Sequence, residues 1–555
     1  MEHRVRRLIA ATGAAALLGG PLSAAITAQS AGATTTPPVS HVLLISVDGL
    51  HQSDLTQWIA EHPSSNLATL TGHGTQYANA STTMPSDSFP GMIAQVTGGT
   101  PKTTGVFYDD TWDRTLYAPP AQGGPSTCSG PAGTETQYAE NIDTNAPSVA
   151  NGQVGTRTIL GETIDPAQLP QVNAGGGVCA PVYPSDFIKV NTIFGVAHNA
   201  GLYTAWSDKH PAYEILNGHG VTNAIDDLFT PEINADITPA SLVDTRGNTT
   251  TFPQPSLGPT GYVGNTEAYD QIKVDAVLNE IDGHTSTGED VGKVPAIFGM
   301  NFQTVSVGQK LVDPTQSGNP TYVPGGYEPG TLTFTPQLEG ALAYVDGALG
   351  QMVSELRSQS LLSSTDIIIS AKHGQSPIDP ATLHKIGHAE ATVLSNAGIN
   401  VAQTTDDDVA LIWLADQSQT KAAVKALKAD QKGANTARIM KVYSGAGLAK
   451  KWGDPTMNSR TPDIIIQPLP GTIYSSSGAK VAEHGGFTPD DTHVAMLVVK
   501  GTDLVNSTGG ATVANKVHTT QIAPTILAML GLNPSDLQSV VAEHTKLLPK
   551  LGKGL

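Results

Sequence analysis

Apolar residues in this chain gather in short runs that stop abruptly at a charged residue, a histidine or a glycine. "HVLLISVDGL" (41–50) stops at Asp48-Gly49, and "GLYTAWSDKH" (201–210) at Asp208, Lys209 and His210. "VPAIFGMNFQ" (294–303) is a third run, and "TDIIISAKHG" (365–374) a fourth that stops at Lys372-His373. "TPDIIIQPLP" (461–470) and "THVAMLVVKG" (492–501) complete the set. Runs this short, with little polar alternation, fit strands buried on both faces, as in parallel sheets covered by helices. Such sheets place ligands at the carboxyl ends of their strands, so the residues where the runs stop are candidates for chemistry.

Helical periodicity fills the intervals. The clearest stretch spans Thr335 to Arg357, with Thr335 as N-cap, Pro336 at the first helical position, and an apolar stripe of Leu338, Leu342, Val345, Leu349, Met352 and Leu356. Alternating strands and helices predict an α/β fold with a doubly wound, mostly parallel sheet. That core is expected over 40–379 and 461–540, with a C-terminal tail over 541–555. "VALIWLADQSQTKAAVKALKAD" followed by "ARIMKVYSG" reads as a small α+β insertion over 380–460. The Gly/Pro/Thr-rich stretch 118–180 reads as an irregular excursion.

The first 31 residues read as a secretory signal, followed by a linker over 32–39. Arg4, Arg6 and Arg7 precede an apolar run from Leu8 to Leu18 that is too short to span a bilayer. The expected location is therefore extracytoplasmic, without a membrane anchor. In an exported chain Cys128 and Cys179 suggest one disulfide, with two free thiols as the alternative.

Composition narrows the function. The 555 residues carry 30 Lys and Arg against 49 Asp and Glu, a net charge of −19. A surface this acidic argues against stable nucleic-acid or anionic-membrane binding. An anionic substrate would need positive charge supplied locally. No GxSxG elbow, P-loop or dinucleotide fingerprint occurs.

Four punctuated segments remain: "ISVDGL", "TTMPSDSFPGMIAQVTGG", "SAKHGQSP" and "AEHGGFTPDDTHVAMLVV". Each alone is weak, since Asp and Ser cap turns and helices and a lone His-Gly is usually a loop. Their joint order, with "TTQIAPTILAMLGL" at the end, resembles the alkaline phosphatase superfamily. Within it, the order is similar to the type I phosphodiesterase/nucleotide pyrophosphatase family, as a divergent member. The resemblance implies an alkaline-phosphatase-type α/β fold and hydrolysis of a small phosphoester through a covalent ester on Ser88, the nucleophile position in "PSDSFPG". It implies Asp48, His373 and His484 as metal ligands. Metal ions in such a site activate the attacking oxygen and hold the phosphoryl oxygens.

The chain departs from the family pattern at the ligands. Lys372 stands where a second carboxylate is expected. "TVSVGQ" replaces an Asp/His pair, leaving Thr304 and Gln309 roughly at ligand positions. Gly91 replaces the Asn of "FPN", and Asp109 stands near the phosphate-holding asparagine. Three matched ligands suggest one zinc-like divalent ion rather than two. Lys372 is expected to lie near Ser88 and Asp109, its ammonium doing part of a cation's work, with Asp109 as counter-charge. The alternative is a structural ion pair in a decayed site. Asp208 and His210, two apart at a strand end, are candidate replacement ligands, or else a solvated loop. The rival functions are a phosphomonoesterase and a catalytically inactive binding protein. A sulfatase fits less well, because Met92 stands where its signature requires arginine.

Overall fold

The computed structural model describes residues 39–138, 142, 164–234, 237, 240–243 and 246–551. The signal reading, and the linker reading apart from Val39, lie outside these residues.

Eight strands form the central sheet. From edge to edge they are Ala511–Val513, Thr75–Tyr77, Met496–Lys500, Thr365–Ser370, His41–Val47, Ile297–Phe302, Ala205–Ser207 and Asp227–Phe229. His41–Val47 sits at the centre and pairs in parallel with both Thr365–Ser370 and Ile297–Phe302. Met496–Lys500 is antiparallel to both of its neighbours. The mostly parallel α/β fold expected from the sequence is therefore present, with one reversed strand.

The apolar runs are continuous because each strand feeds two cores. Val42 and Leu44 pack on one face of the sheet with the helices Ser88–Thr97 and Ile522–Met529. Leu43, Ile45 and Val47 pack on the other, with the helices Val263–Ile281 and Pro336–Ser358. The last of these begins as the sequence indicates. Thr335 caps it by accepting from Leu338 N, and all six residues of the expected stripe are buried.

The insertion has a different boundary from the expected one. Its antiparallel sheet runs Val401–Asp406, Ala410–Leu414, Ile464–Pro468, Ile439–Ser444. The run Ile464–Ile466, read from sequence as a core strand, pairs instead with Ala410–Ile412. A buried apolar run signals burial on two faces but does not say in which sheet. Here Ile464 and Ile466 join the insertion's own core, while Ile465 faces Phe107, Tyr108 and Trp413. The excursion pairs Thr134–Gln137 with Asp110–Asp113, which precedes it, and Gln171–Asn173 with Cys179–Pro181. Cys128 and Cys179 form a disulfide with Cα atoms 5.2 Å apart.

Candidate active site

Four neighbouring parallel strands deliver polar residues to one edge of the sheet. Register sets their level: Val47 pairs with Phe302, Ser46 with Ser370 and Met300 with Ser207. The next residues along are Asp48, Gln303, the segment leading to Lys372 and His373, and Asp208-Lys209. The turn after Asp48 needs Gly49, whose φ is +81° and where a Cβ would lie 2.3 Å from Gln309 Oε1. Opposite this edge, Ser88 opens the helix Ser88–Thr97, with Asp87 as N-cap accepting from Phe89 N. Gly91 allows that helix to approach, because a Cβ there would sit 2.2 Å from the Lys372 carbonyl oxygen.

Ser88 is 2% exposed. Its Oγ lies 3.2 Å from His373 Nε2, 3.4 Å from Asp48 Oδ2 and 3.0 Å from Lys209 Nζ, which donates to it. His373 Nδ1 is 2.7 Å from the Gly374 carbonyl. A carbonyl only accepts, so Nδ1 carries the hydrogen and Nε2 presents its lone pair to the serine.

Asp48 collects positive charge and amide donors. Lys209 Nζ is 3.5 Å from Oδ2, and Gln303 Nε2 donates to the same oxygen at 2.7 Å. The Asn301 amide, turned to satisfy its surroundings, donates to Oδ1 at 2.9 Å. Burial alone would push the Asp48 carboxyl up. Lys372 and Lys209 outweigh it and hold the group well below the usual carboxylate range. Burial likewise opposes the charge on Lys209, but Asp48, Asp208, Asp87 and Asp109 raise its pKa. Behind the serine, burial pushes Asp87 up to about 6. His484 Nδ1 stands 3.6 Å from Asp87 Oδ1, and its ring is 4.1 Å from that of His373. Burial, with nearby lysines adding to it, holds His484 well below the usual range, so it is neutral.

The structure thus brings Asp48, Ser88, His373 and His484 together, but it rearranges the lysines. The lysine on Ser88 is Lys209, and the Lys372 ammonium is held by Asp208 and Tyr213. It binds both oxygens of Asp208, at 2.9 and 3.1 Å, and the Tyr213 hydroxyl at 2.8 Å. All three residues are buried. Asp208 is taken up by that pair, and His210 by Glu232 at 2.8 Å, so neither faces a shared metal position. Asp109 is half-buried, and its charge acts on Lys209 and Tyr108. The Thr304 hydroxyl donates to Asp270, and Gln309 donates to the Gly49 carbonyl and to Asp54.

Lys209, Gln303 and Asn301, which touch the centre, were not singled out from sequence. Lys209 was overlooked between Asp208 and His210, because a metal-type pair draws attention to its flanks. Strand alternation, which points neighbours to opposite sides, is the signal that would have separated it from them. Gln303 was passed over for Thr304 and Gln309, further along the same segment.

Comparison with known proteins agrees with this geometry. The sequence matches the type I phosphodiesterase/nucleotide pyrophosphatase family over residues 42–138 and 321–489. The chain is therefore similar to that family over those two segments. The fold is similar to alkaline phosphatase PafA, at 14% identity and a TM-score of 0.55, covering 90% of this chain and 97% of that one. It is also similar to murine ectonucleotide pyrophosphatase/phosphodiesterase 5, at 12% identity and a TM-score of 0.51, covering 89% and 96%. The human protein of the same name gives 13%, 0.51, 89% and 95%. No curated protein matches the sequence. The family match and the fold support a phosphodiesterase/pyrophosphatase-like phosphoester hydrolase.

The superfamily typically depends on divalent metal ions. The residues here fit such an ion poorly. An ammonium and two amide N–H groups already point at Asp48, and neither group is a metal ligand. Among the described residues, three ligating atoms lie within 4.8 Å of one another only at His388, Glu390 and Asp406, in the insertion. Asp48, His373 and His484 do not make such a group. Among the described residues no helix is long and apolar enough to cross a membrane.

Proposed function

We propose that this chain hydrolyses small phosphodiesters or nucleotide pyrophosphates outside the cytoplasm, by way of a covalent ester on Ser88. The observation that carries the reading is the position of Ser88 Oγ between a proton acceptor, His373 Nε2, and a cation, Lys209 Nζ. A serine hydroxyl is a weak nucleophile until a base or a cation lowers the cost of its anion, and here both are in contact with it.

In the first step the Ser88 oxygen–phosphorus bond forms and the bond to the leaving oxygen breaks. The serine proton passes to His373 Nε2 and from there to the leaving oxygen. Water then attacks phosphorus, giving its proton to His373, which returns it to Ser88 as the serine–phosphorus bond breaks. Lys209 donates to the attacking oxygen and to a nonbridging phosphoryl oxygen, where negative charge builds up. Asp48 keeps that ammonium charged and in place.

An inactive form of murine ectonucleotide pyrophosphatase/phosphodiesterase 5 has been solved with AMP, which supports the nucleotide side of the reading. The disulfide and the basic, apolar N-terminal pattern support export. The test is turnover of an aryl phosphodiester and of the matching monoester by the wild-type chain and by Ser88→Ala. Diester hydrolysis that disappears in a folded Ser88→Ala protein supports the proposal. Preference for the monoester would favour a phosphomonoesterase, and no turnover of either would favour a binding protein.

A further inference from the structure

We infer that the catalytic centre works without a resident divalent cation, the Lys209 ammonium, between Asp48 and the nucleophile, doing a cation's work there. The inference rests on the reading of Ser88 as phosphoryl acceptor, and it goes beyond that reading in replacing the cofactor.

Three observations converge on it. The first is position. Ser88 Oγ and Asp48 Oδ2 are 3.4 Å apart, and Lys209 Nζ lies 3.0 Å from one and 3.5 Å from the other. A metal bridging those two oxygens would sit about 2 Å from each. The ammonium already reaches both, and Gln303 Oε1 holds it from a third side at 3.3 Å.

The second is the chemistry of the residues facing Asp48. Gln303 and Asn301 present N–H groups to its two oxygens, at 2.7 and 2.9 Å. A carboxylate lone pair that accepts from an amide is not available to a metal. The amide nitrogens cannot replace it as ligands, because their lone pairs are delocalised.

The third is charge. Lys372 sits fully buried at the same sheet edge, balanced by Asp208, and its charge also acts on Asp48. Lys209 with Asp48 and Lys372 with Asp208 are two paired charges, and the carboxyls of Asp87 and Asp109 also act on Lys209. A divalent cation added among them would meet two ammonium groups in a poorly screened interior, where like charges repel strongly. The same arrangement leaves one cation, Lys209, only partly buried at 14% exposure and touching the nucleophile. That suits a singly charged phosphodiester anion. An ammonium differs from a metal in one useful respect: its three N–H groups bind the attacking oxygen and a phosphoryl oxygen together.

The test uses the full chain after exhaustive chelation and desalting, with metal content, diester turnover and inorganic phosphate binding by calorimetry measured on the same sample. We expect turnover and phosphate affinity to match those of the untreated protein while metal content at this site is far below stoichiometric. Lys209→Met should lose roughly 10²-fold or more in kcat and bind phosphate about tenfold more weakly or worse. Lys209→Arg, which keeps the charge, should retain phosphate binding, and thermal melts establish that both variants fold. Turnover lost on chelation and restored by stoichiometric zinc or manganese overturns the inference. So does phosphate binding that requires added metal or is absent from the metal-free chain. If no sample turns over diester, the hydrolase reading fails separately. Metal-free phosphate binding that is weakened in Lys209→Met would still uphold Lys209 as the cation.

Discussion

The Lys372 ammonium bonds both carboxylate oxygens of Asp208, at 2.9 and 3.1 Å, in an ion pair from which water is excluded. Tyr213 completes the cage, with its hydroxyl 2.8 Å from Nζ and its ring centroid 4.1 Å away. The lysine beside the motif histidine is therefore a brace between two strand ends, while the lysine at the nucleophile follows Asp208 at the far end of that brace.

This division of labour separates the effects of two similar substitutions. Lys372→Met strands the Asp208 charge in the interior and should cost about 3–5 kcal/mol of stability. Adding Asp208→Asn should recover much of that loss. Lys209→Met, at a partly exposed ammonium, should cost kcat far more than stability. Urea melts and steady-state kinetics on the three variants check the contrast. Equal loss of stability in both single variants would contradict it.

The approach of the nucleophile helix depends on Gly91. A methyl group there would meet the Lys372 carbonyl oxygen at 2.2 Å, and that oxygen already accepts from Thr82 at 2.6 Å, so the backbone has little freedom to yield. Gly91→Ala should lose about 1–3 kcal/mol and lower kcat by shifting Ser88 away from His373. Unchanged melting and kinetics in Gly91→Ala would show that the two segments are not in contact.

Stability should also depend on pH through Glu214. Burial pushes this carboxyl from 4.5 up to about 7, against the hydrogen bonds it accepts from Ser185. Between those values the folded chain holds a proton that the unfolded chain has released. The contribution of Glu214 is therefore fully present below about pH 4.5 and is lost as pH rises through about 7, with an upper bound of about 3 kcal/mol. Melting temperatures across pH 5 to 7.5 should fall more steeply for wild type than for Glu214→Gln. Parallel curves would contradict the assignment.

Much of the architecture was legible because strands buried on both faces leave unbroken apolar runs, and because Thr335-Pro336 announces a helix start. Asp48, Ser88, His373 and His484 were legible because each stands at a punctuation mark that the backbone requires. The partners were not. Whether Lys372 reaches Ser88 or Asp208 depends on which strand lies beside which, a long-range fact that no local spacing encodes. Asp208 and Lys372 are 164 positions apart. The placement of Ile464–Ile466 in the insertion sheet failed to show for the same reason: apolar periodicity reports burial, not partnership.

The central claim is attack by Ser88 on phosphorus, and trapping its ester tests that claim most directly. The full chain is mixed with an aryl phosphodiester, quenched in acid during turnover and digested for mass spectrometry. The account predicts a phosphoryl ester on the peptide carrying Ser88, formed at the rate of the first product burst and absent from Ser88→Ala. An ester on another residue, or undiminished turnover in Ser88→Ala, would contradict it.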